Sequence, residues 1–438
     1  MDQADDILAA RAKHLYQCAP HLHPDAPVFV GGEGCYLIDR AGRRFLDCTS
    51  GGGVVNAGYR NPMILNAVVD QLWQLSYCPT DHLTEPLHHL AQTLAEMAPA
   101  GLGRSFFCTC PLEAKTAALL AATQFTGRLD FVALSSASAI AADWIPAAPP
   151  LHVPHGESAG VWRVHALPPR TSTGEDSGAA RGAACRPPRP ADVRQLIEQL
   201  GPHRIAAVLA EPIPYDDGLI IPTDDYWPEI RRVCTESGVL LVFDETRTGM
   251  NRTGRWLACE HWQVAPDLLI LGDSLANGQP IAVLLTTDDV AASCRDLGAV
   301  PFGASPVSCA AALTTMRFHR TASLAGRAER QGAVLLAGMT EAAGASRHLA
   351  HPRGKGLTAA VDVVNDAGEP DAARCERYLE QFRNWGFLVG RAGFCGNVLT
   401  FLPPLTITED QVPLIARALS ELDRADANAP APPTSLLE

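Results

Sequence analysis

Acidic residues stand at the ends of three apolar runs that the sequence predicts to be buried β-strands. Glu211 follows RIAAVLA, Asp244 ends GVLLVFD, and Asp273 follows LLILG. Where helices cover both faces of a sheet, the carboxyl ends of its strands face the ligand crevice. Carboxylates in one cleft can push their pKa values apart, so that one acts as an acid and the other as a base. We therefore expect Asp273, Asp244 and Arg247 to be catalytic, with Arg247 neutralising one of the two carboxylates.

The same side chains have two other interpretations. The carboxylates could hold a cation or the ammonium group of a substrate. Alternatively, Asp244, Asp273 and Arg247 form a salt-bridge network with a purely structural role. Amine chemistry is restricted, because the chain contains three lysines, at Lys13, Lys115 and Lys355. A reaction that needs a lysine must use one of them.

The composition excludes several classes of protein. The formal net charge of −13 argues against binding to nucleic acid or to an anionic membrane surface. No apolar run reaches the roughly 18 residues that span a bilayer, and the acidic start MDQADDILAA does not resemble a secretory signal. The 13 cysteines lack zinc-site or disulfide spacing, which predicts reduced thiols and a cytoplasmic location. No metal site is expected, since Pro154 places His152 and His155 on a loop without further ligands.

Helices and strands alternate along most of the chain, which predicts an α/β protein with a mostly parallel sheet. Proline at the first helical position marks helices that begin at Pro62, Pro111 and Pro306. The last portion has strands followed by a helix, which indicates a smaller α+β unit. Residues 168–190 are rich in Pro, Gly, Ser and Arg and predict a long mobile loop.

Several stretches together resemble the class III aminotransferases, the ornithine and acetylornithine type, which use pyridoxal phosphate (PLP) on fold type I. They are GEGCYLIDRAGRRFLDCTSG, AEPIPYDDGLIIP, VFDETRTGMNRTGRWLACEHWQVAPDLLILG, FGASPVSCAAAL and GNVLTFLPPLTIT, in the family's order. The resemblance implies a large domain over 51–318 with a mostly parallel seven-stranded sheet. It also implies a small α+β domain over 319–438 with a flexible tail from 425, an N-terminal segment 1–50 that packs on the small domain, and a homodimer.

The resemblance also implies which positions should hold PLP, and most of them depart from the family pattern. Asp273 stands where the family has the lysine that forms the Schiff base, and a carboxylate cannot form an imine. Asp244 matches the partner of the pyridine nitrogen and is a remnant of that site. In the turn at the helix N-terminus where the resemblance implies binding of the PLP phosphate, the phosphate cup, this chain has Pro111 and Leu112. At other positions it has Pro301 where the family has a threonine, Arg247 where the family has a glutamine and Thr400 where the family has an arginine. The run at 135–140 replaces an aromatic-His-Gly stretch.

Three hypotheses about function follow from this pattern. The first is a repurposed, PLP-independent enzyme of bacterial specialised metabolism that cyclises, condenses or hydrolyses a small molecule. The second is a non-catalytic pseudoenzyme, or a partner subunit that forms a heterodimer with an active paralogue. The third is a PLP enzyme with unconventional attachment, for example at Lys115. No covalently bound cofactor is expected, and the departures speak against PLP binding of any kind.

Overall fold

The computed structural model describes His14 and residues 27–135, 162–171, 185–294, 296–298 and 300–428. The strands are β1 (Phe29–Glu33), β2 (Tyr36–Asp39), β3 (Arg44–Asp47), β4 (Arg104–Cys108), β5 (Asp130–Ala133), β6 (Arg163–Ala166), β7 (Arg170–Thr171), β8 (Cys185–Arg186), β9 (Ile205–Ala210), β10 (Leu240–Asp244), β11 (Leu268–Leu271), β12 (Ala282–Thr286), β13 (Leu349–Lys355), β14 (Thr358–Val363), β15 (Phe387–Leu388), β16 (Gly390–Ala392) and β17 (Val398–Phe401).

The α-helices surround these strands and fill the connections between them. They are α1 (Ser50–Gly53), α2 (Pro62–Gln74), α3 (Glu85–Met97), α4 (Pro111–Thr126), α5 (Pro190–Leu200), α6 (Tyr226–Ser237), α7 (Asp288–Ser293), α8 (Pro306–Thr321), α9 (Leu324–Ala345), α10 (Ala372–Asn384) and α11 (Val412–Asn428). The prediction that α2, α4 and α8 each begin at a proline is confirmed. Among the described helices, none is long and apolar enough to cross a membrane.

The central sheet has seven strands in the order β4-β12-β11-β10-β9-β5-β6. Strand β12 runs antiparallel to both of its neighbours, whereas β11, β10, β9, β5 and β6 are mutually parallel. Strands β9, β11 and β12 are buried along their whole length, because their apolar residues are covered on both faces. The predicted α/β fold with a mostly parallel seven-stranded sheet is therefore confirmed.

A second core lies around the C-terminal strands. Strands β13, β14, β17 and β16 form a four-stranded antiparallel sheet. Near the N-terminus, β3 pairs in parallel with β15, so the first described segment joins the C-terminal part of the chain. The buried side chains Leu46 and Phe387 belong to this core. The domain boundaries at 50 and 318 stay predictions.

Two regions that we expected to lack regular secondary structure contain strands or part of a helix. Within 168–190, Arg170 pairs with Arg186 and Thr171 pairs with Cys185, so a short antiparallel ladder links the two ends of the predicted mobile loop. The expectation of a structureless loop was therefore wrong for these ends, while 172–184 lie outside the described residues. Helix α11 continues to Asn428, within the segment from 425 expected to form a flexible tail, and the flexibility of that tail stays a prediction. Residues 429–438 are not described.

Candidate active site

A cavity of about 280 Å³ opens where the N-terminus of α4 meets the carboxyl ends of β9, β10 and β11. This is the edge of the sheet at which ligands of parallel α/β proteins bind. Three carboxylates and two cations share its wall with small and apolar groups. The lining residues are Cys110, Pro111, Leu112, Lys115, Glu211, Asp244, Thr246, Arg247 and Asp273.

All three side chains expected to be catalytic line this cavity. The register of the parallel pair β10 and β11 places Asp244 opposite Ile270, so Asp273 follows one strand over at the same edge. Arg247 reaches the cavity from the turn after β10. The sequence therefore predicted which residues meet, and their catalytic roles stay predictions.

A buried ion pair holds the carboxylate of Asp244. Lys115 lies in the first turns of α4, and its Nζ is 2.8 Å from Oδ2 of Asp244, with the two side chains only 8% and 2% exposed. The amide N–H of Thr246 donates to Oδ1 of the same carboxylate. Burial by itself raises the pKa of Asp244, but the charge and hydrogen bond of Lys115 outweigh it and hold that pKa below its usual value. Asp244 is therefore an ionised member of a buried ion pair.

Arg247 forms an ion pair with Asp216. The expectation that it neutralises Asp244 or Asp273 stays a prediction. Its Nη1 donates to Oδ2 of Asp216 at 2.8 Å, and the two side chains are 30% and 37% exposed. The guanidinium also stacks on the ring of Tyr215, 4.8 Å from the ring centroid. The Tyr215 hydroxyl lies 2.8 Å from the hydroxyl of Thr400, which fixes the ring. The expectation missed this partner because Asp216 lies in the loop after β9, whose path the sequence does not define.

Glu211 is a titratable group whose role the sequence interpretation missed. It follows β9 and lines the cavity beside Asp244 and Arg247. Burial raises the pKa of its carboxyl to about 8, an effect that the positive charge of Arg247 opposes and the negative charge of Asp244 strengthens. At neutral pH it is therefore mostly protonated. Its position at the end of a fully apolar strand was the feature of the sequence that could have identified Glu211 as a titratable residue of the cleft.

Asp273 has an unusual backbone conformation. Its φ is +35°, in the left-handed region that residues other than glycine seldom adopt, and it begins the short 3₁₀ turn Asp273–Ala276. The preceding Gly272 packs so closely against α4 that a Cβ on it would lie 3.0 Å from Cγ of Pro111. Left-handed backbone at a non-glycine residue costs free energy and is found preferentially at functional sites.

The N-terminus of α4 offers few donors to an anion. Pro111 occupies its first position and has no N–H, and the Cys110 side chain makes no capping hydrogen bond. The amide and hydroxyl of Thr109, the residue before the N-cap Cys110, both donate to the carboxylate of Glu113 in the first turn. The carboxylate of Glu113 therefore places a negative charge at the positive end of this helix, where it disfavours a second anion.

The remaining candidates of the sequence are not among the described residues that line the cavity. Lys355 lies 5.3 Å from the ring centroid of Trp262, in a cation–π contact outside the cavity. Over the described ranges no group of three or more His, Cys, Asp or Glu side chains could hold a metal ion. Lys13, His152 and His155 lie outside the described residues, as do 136–140.

The described fold and cleft define a protein built on the aminotransferase scaffold. The sequence model of aminotransferase class-III matches residues 21–139 and 165–422. The chain belongs to the class-III aminotransferase family.

Solved structures agree on the fold. The chain is similar to a Bacillus anthracis aminotransferase at 24% identity and a TM-score of 0.82, covering 97% of this chain and 100% of that one. It is similar to a transaminase from the marine bacterium Virgibacillus at 22% identity and a TM-score of 0.81, covering 95% and 98%. A phospholyase from Arthrobacter, solved in complex with phosphoethanolamine, matches at 24% identity and a TM-score of 0.82, covering 95% and 99%.

Proposed function

We propose that this family member is a PLP-independent enzyme that acts on a small molecule by acid–base catalysis. The observation that carries the proposal is the buried ion pair between Lys115 and Asp244, 2.8 Å apart. Asp244 matches the family's partner of the pyridine nitrogen, and its carboxylate is already engaged by an ammonium group. A cofactor ring would have to displace Lys115 and leave that ammonium buried without its partner, which is costly.

The other residues that would contact PLP do not fit it either. Asp273 offers a carboxylate at the position where the resemblance expects the Schiff-base lysine. Pro111 removes a donor from the phosphate cup, and Glu113 already accepts from the neighbouring amide of Thr109. Lys115 is an unsuitable alternative for imine formation, because an ammonium paired with a buried carboxylate is not nucleophilic.

The cavity supplies both partners of an acid–base reaction. Glu211 is protonated at neutral pH because burial raises its pKa to about 8, so it can donate a proton to a bound molecule. Asp273 offers a carboxylate at the same wall and is the base of the proposal. The ion pair of Asp244 and Lys115 forms a rigid part of the cavity wall. Arg247, on the same wall, binds the ligand. The reaction class is a cyclisation, condensation or hydrolysis, which needs no electron sink.

The experiment that tests PLP independence is a titration of the purified protein with PLP, followed by borohydride reduction and intact mass spectrometry. We expect no imine absorbance and no added mass. The variant Asp273→Lys is treated in the same way and should also remain without adduct, since the phosphate cup and Lys115 are unchanged. An adduct on Lys115 in the wild type, or a yellow, transaminating Asp273→Lys protein, would overturn the proposal.

A non-catalytic pseudoenzyme is the second candidate. The buried Lys115–Asp244 pair favours it, because a satisfied ion pair fills the middle of the cleft without any ligand. The two functions differ in what the cavity does with small molecules: the enzyme converts a substrate and the pseudoenzyme does not. Incubation with extracts of small metabolites, followed by mass spectrometry for consumed and formed species, separates them.

We further propose that the chain forms a homodimer through the region of α2, with a heterodimer with an active paralogue as the alternative. The helix and the loop after it expose a row of large apolar side chains, of which Trp73 is 87% and Leu83 is 86% exposed. Such a concentration of apolar surface is typical of protein interfaces. Light scattering at micromolar concentration should give the mass of two chains, and Trp73→Glu should shift it towards one.

A further inference from the structure

We propose that the ligand of this cavity is an uncharged carbonyl compound. Its oxygen accepts a hydrogen bond from the carboxylic acid of Glu211, and its apolar body lies on Pro111 and Leu112. This inference rests on the proposed function, because it names the ligand class of the same cavity. The hydrogen-bond donors, the charges and the apolar surface of the cavity wall each favour this class of ligand.

Glu211 presents a hydrogen-bond donor to the cavity. Its carboxyl lines the cavity, and the amide of Tyr215 donates to its Oε2 at 3.3 Å, within the turn that follows β9. Among the described residues, this is the hydrogen bond found at the Glu211 carboxyl. The proton of the acid is therefore available to an atom of the ligand. A carbonyl oxygen is an acceptor without a donor, so it matches this group.

The surroundings of Glu211 keep its carboxyl neutral below about pH 8. Burial raises its pKa to about 8, and the negative charges of Asp244 on β10 and Asp216 in the loop after β9 act in the same direction. The positive charges of Arg247 and Lys115 oppose this rise in the pKa but do not outweigh it. A neutral acid donates a hydrogen bond to a carbonyl oxygen, whereas the carboxylate formed at higher pH repels that oxygen.

The wall disfavours an anionic ligand. Asp244 is ionised, and Asp273 adds a second carboxylate. At the N-terminus of α4, Pro111 has no N–H to donate and Glu113 adds a negative charge. The ammonium of Lys115 is 2.8 Å from Asp244 in a buried pair, so a ligand anion could use it only by separating that pair.

The same wall disfavours a cationic head group at Glu211. An ammonium group has donors only, and it would meet the acid proton of Glu211 and the guanidinium of Arg247. A carbonyl oxygen can accept hydrogen bonds from both. An amide also carries N–H groups, which the carboxylate of Asp273 on the same wall can accept. An uncharged amide is therefore the clearest example of the class.

Apolar groups line the cavity beside these polar ones. Cys110, Pro111 and Leu112 belong to the lining residues, and Leu112 is 39% exposed although its side chain is large and apolar. A ligand with an apolar body covers this surface, which is favourable in proportion to the area removed from water. The volume of about 280 Å³ is near the lower end of small-molecule sites, roughly 300–1,000 Å³, so the body is a short alkyl chain or a single ring.

The test compares three probes of similar shape, hexanamide, hexanoate and hexylamine, which differ in the charge of the head group. NMR titration of the full chain gives their affinities well below and well above pH 8. Below pH 8 the wild type should bind hexanamide more tightly than either charged probe. Above pH 8 its affinity for hexanamide should fall by up to about tenfold per pH unit, because the fraction of protein with a protonated Glu211 falls in that proportion.

Four variants separate the contributions to binding. Glu211→Gln retains a donor but cannot titrate, so it should keep its affinity for hexanamide above pH 8, a gain over the wild type that misfolding cannot imitate. Glu211→Leu should lower this affinity by about five- to tenfold at neutral pH, the loss of one hydrogen bond. Leu112→Asn should weaken hexanamide but not acetamide, which lacks the chain. Glu376→Gln, at a carboxylate that is 52% exposed and outside the cavity lining, should retain the wild-type pH dependence.

Tighter binding of hexanoate or hexylamine than of hexanamide by the wild type, a hexanamide affinity that does not change with pH, or no binding of hexanamide would overturn the uncharged ligand. A Glu211→Gln variant that loses affinity above pH 8 as the wild type does would overturn it as well. Each of these results leaves the PLP titration untouched, so the failure of this inference is distinguishable from that of PLP independence.

Discussion

Two ion pairs lie within one cleft and differ in their surroundings. The Lys115–Asp244 pair is 8% and 2% exposed, and the Arg247–Asp216 pair is 30% and 37% exposed, although both have an N···O distance of 2.8 Å. Equal geometry therefore does not mean equal strength. In the buried pair each charge depends on the other, because water cannot solvate a partner that is left behind. In the exposed pair water replaces a lost partner.

This difference assigns separate tasks to the two pairs. The buried pair forms part of the cavity wall and holds Asp244 ionised, so it maintains the architecture of the cavity. The exposed pair can open without loss of structure, which suits a group that binds and releases a ligand. Four predictions follow from this division, beginning with the largest expected effect.

Removal of the buried cation should be strongly destabilising. Lys115→Met leaves the carboxylate of Asp244 buried without its counter-charge, and we expect the free energy of unfolding at neutral pH to fall by about 3–5 kcal/mol. Urea denaturation followed by circular dichroism measures it. The double variant Lys115→Met with Asp244→Leu should recover most of the loss, because it removes both charges. A single variant as stable as the wild type would contradict the dependence of Asp244 on Lys115.

The titration of Glu211 should be visible in the pH dependence of stability. Its pKa in the folded chain is raised to about 8 from an ordinary value of 4.5, so the folded state binds this proton more tightly than the unfolded chain does. The stability it contributes is present in full below pH 4.5 and is lost as the pH rises through 8. Glu211→Gln cannot titrate and should remove this loss.

The expected gain of Glu211→Gln over the wild type is about 1–3 kcal/mol above pH 8, because the ionised carboxylate is buried and the long hydrogen bond that it accepts from the amide of Tyr215, at 3.3 Å, offsets little of its lost hydration. Denaturant unfolding across the pH range gives the two profiles. Part of the slope should remain in both proteins, because burial also raises the pKa of Glu245 to about 7. Parallel profiles for variant and wild type would show that Glu211 is ionised in the folded chain and cannot serve as the acid.

The sequence was sufficient to predict the fold and to predict that the acidic residues at the strand ends line one cleft. Continuous apolar runs identify buried parallel strands whatever their neighbours are, and the acids that follow them must lie at one edge of the sheet. For this reason Asp244 and Asp273 were expected in one cleft and lie there. The ladder between Arg170 and Arg186 was not expected, because pairing of two-residue segments leaves no periodic signal.

The partners of the charged groups could not be predicted in the same way. Lys115 reaches Asp244 only because α4 packs across the sheet in a particular rotation, which depends on tertiary contacts rather than on local sequence. Arg247 is close to Asp244 along the chain, and that proximity gave no indication of its ion pair with Asp216. Ion pairing is decided by side-chain direction over a few ångströms, whereas sequence patterns define only which element carries a residue.

Substitutions of Asp273 can distinguish a functional from a structural role of its carboxylate. Their expected effect on the stability of the protein is of intermediate size. Its φ of +35° suits glycine, so Asp273→Gly should relieve backbone strain and stabilise the protein by about 1 kcal/mol if the carboxylate serves the ligand. If Asp273 instead belongs to a structural charge network, the same change should cost about 1–3 kcal/mol. Thermal unfolding of the two proteins gives the sign, and Asp273→Asn, which retains the shape without the charge, separates strain from electrostatics.

The smallest effect is expected at the exposed pair. A double-mutant cycle of Arg247→Met and Asp216→Asn should give a coupling free energy of at most about 1 kcal/mol, because both charges are partly solvated. The coupling should shrink further when the ionic strength is raised, since mobile ions screen exposed charges. Chemical denaturation of the wild type, both single variants and the double variant at low and high salt provides the measurement. A coupling as large as that of the buried pair, or one insensitive to salt, would mean that the exposed pair is held as firmly as the buried one. The cleft would then contain two structural pairs, and Arg247 would lose its assigned part in binding.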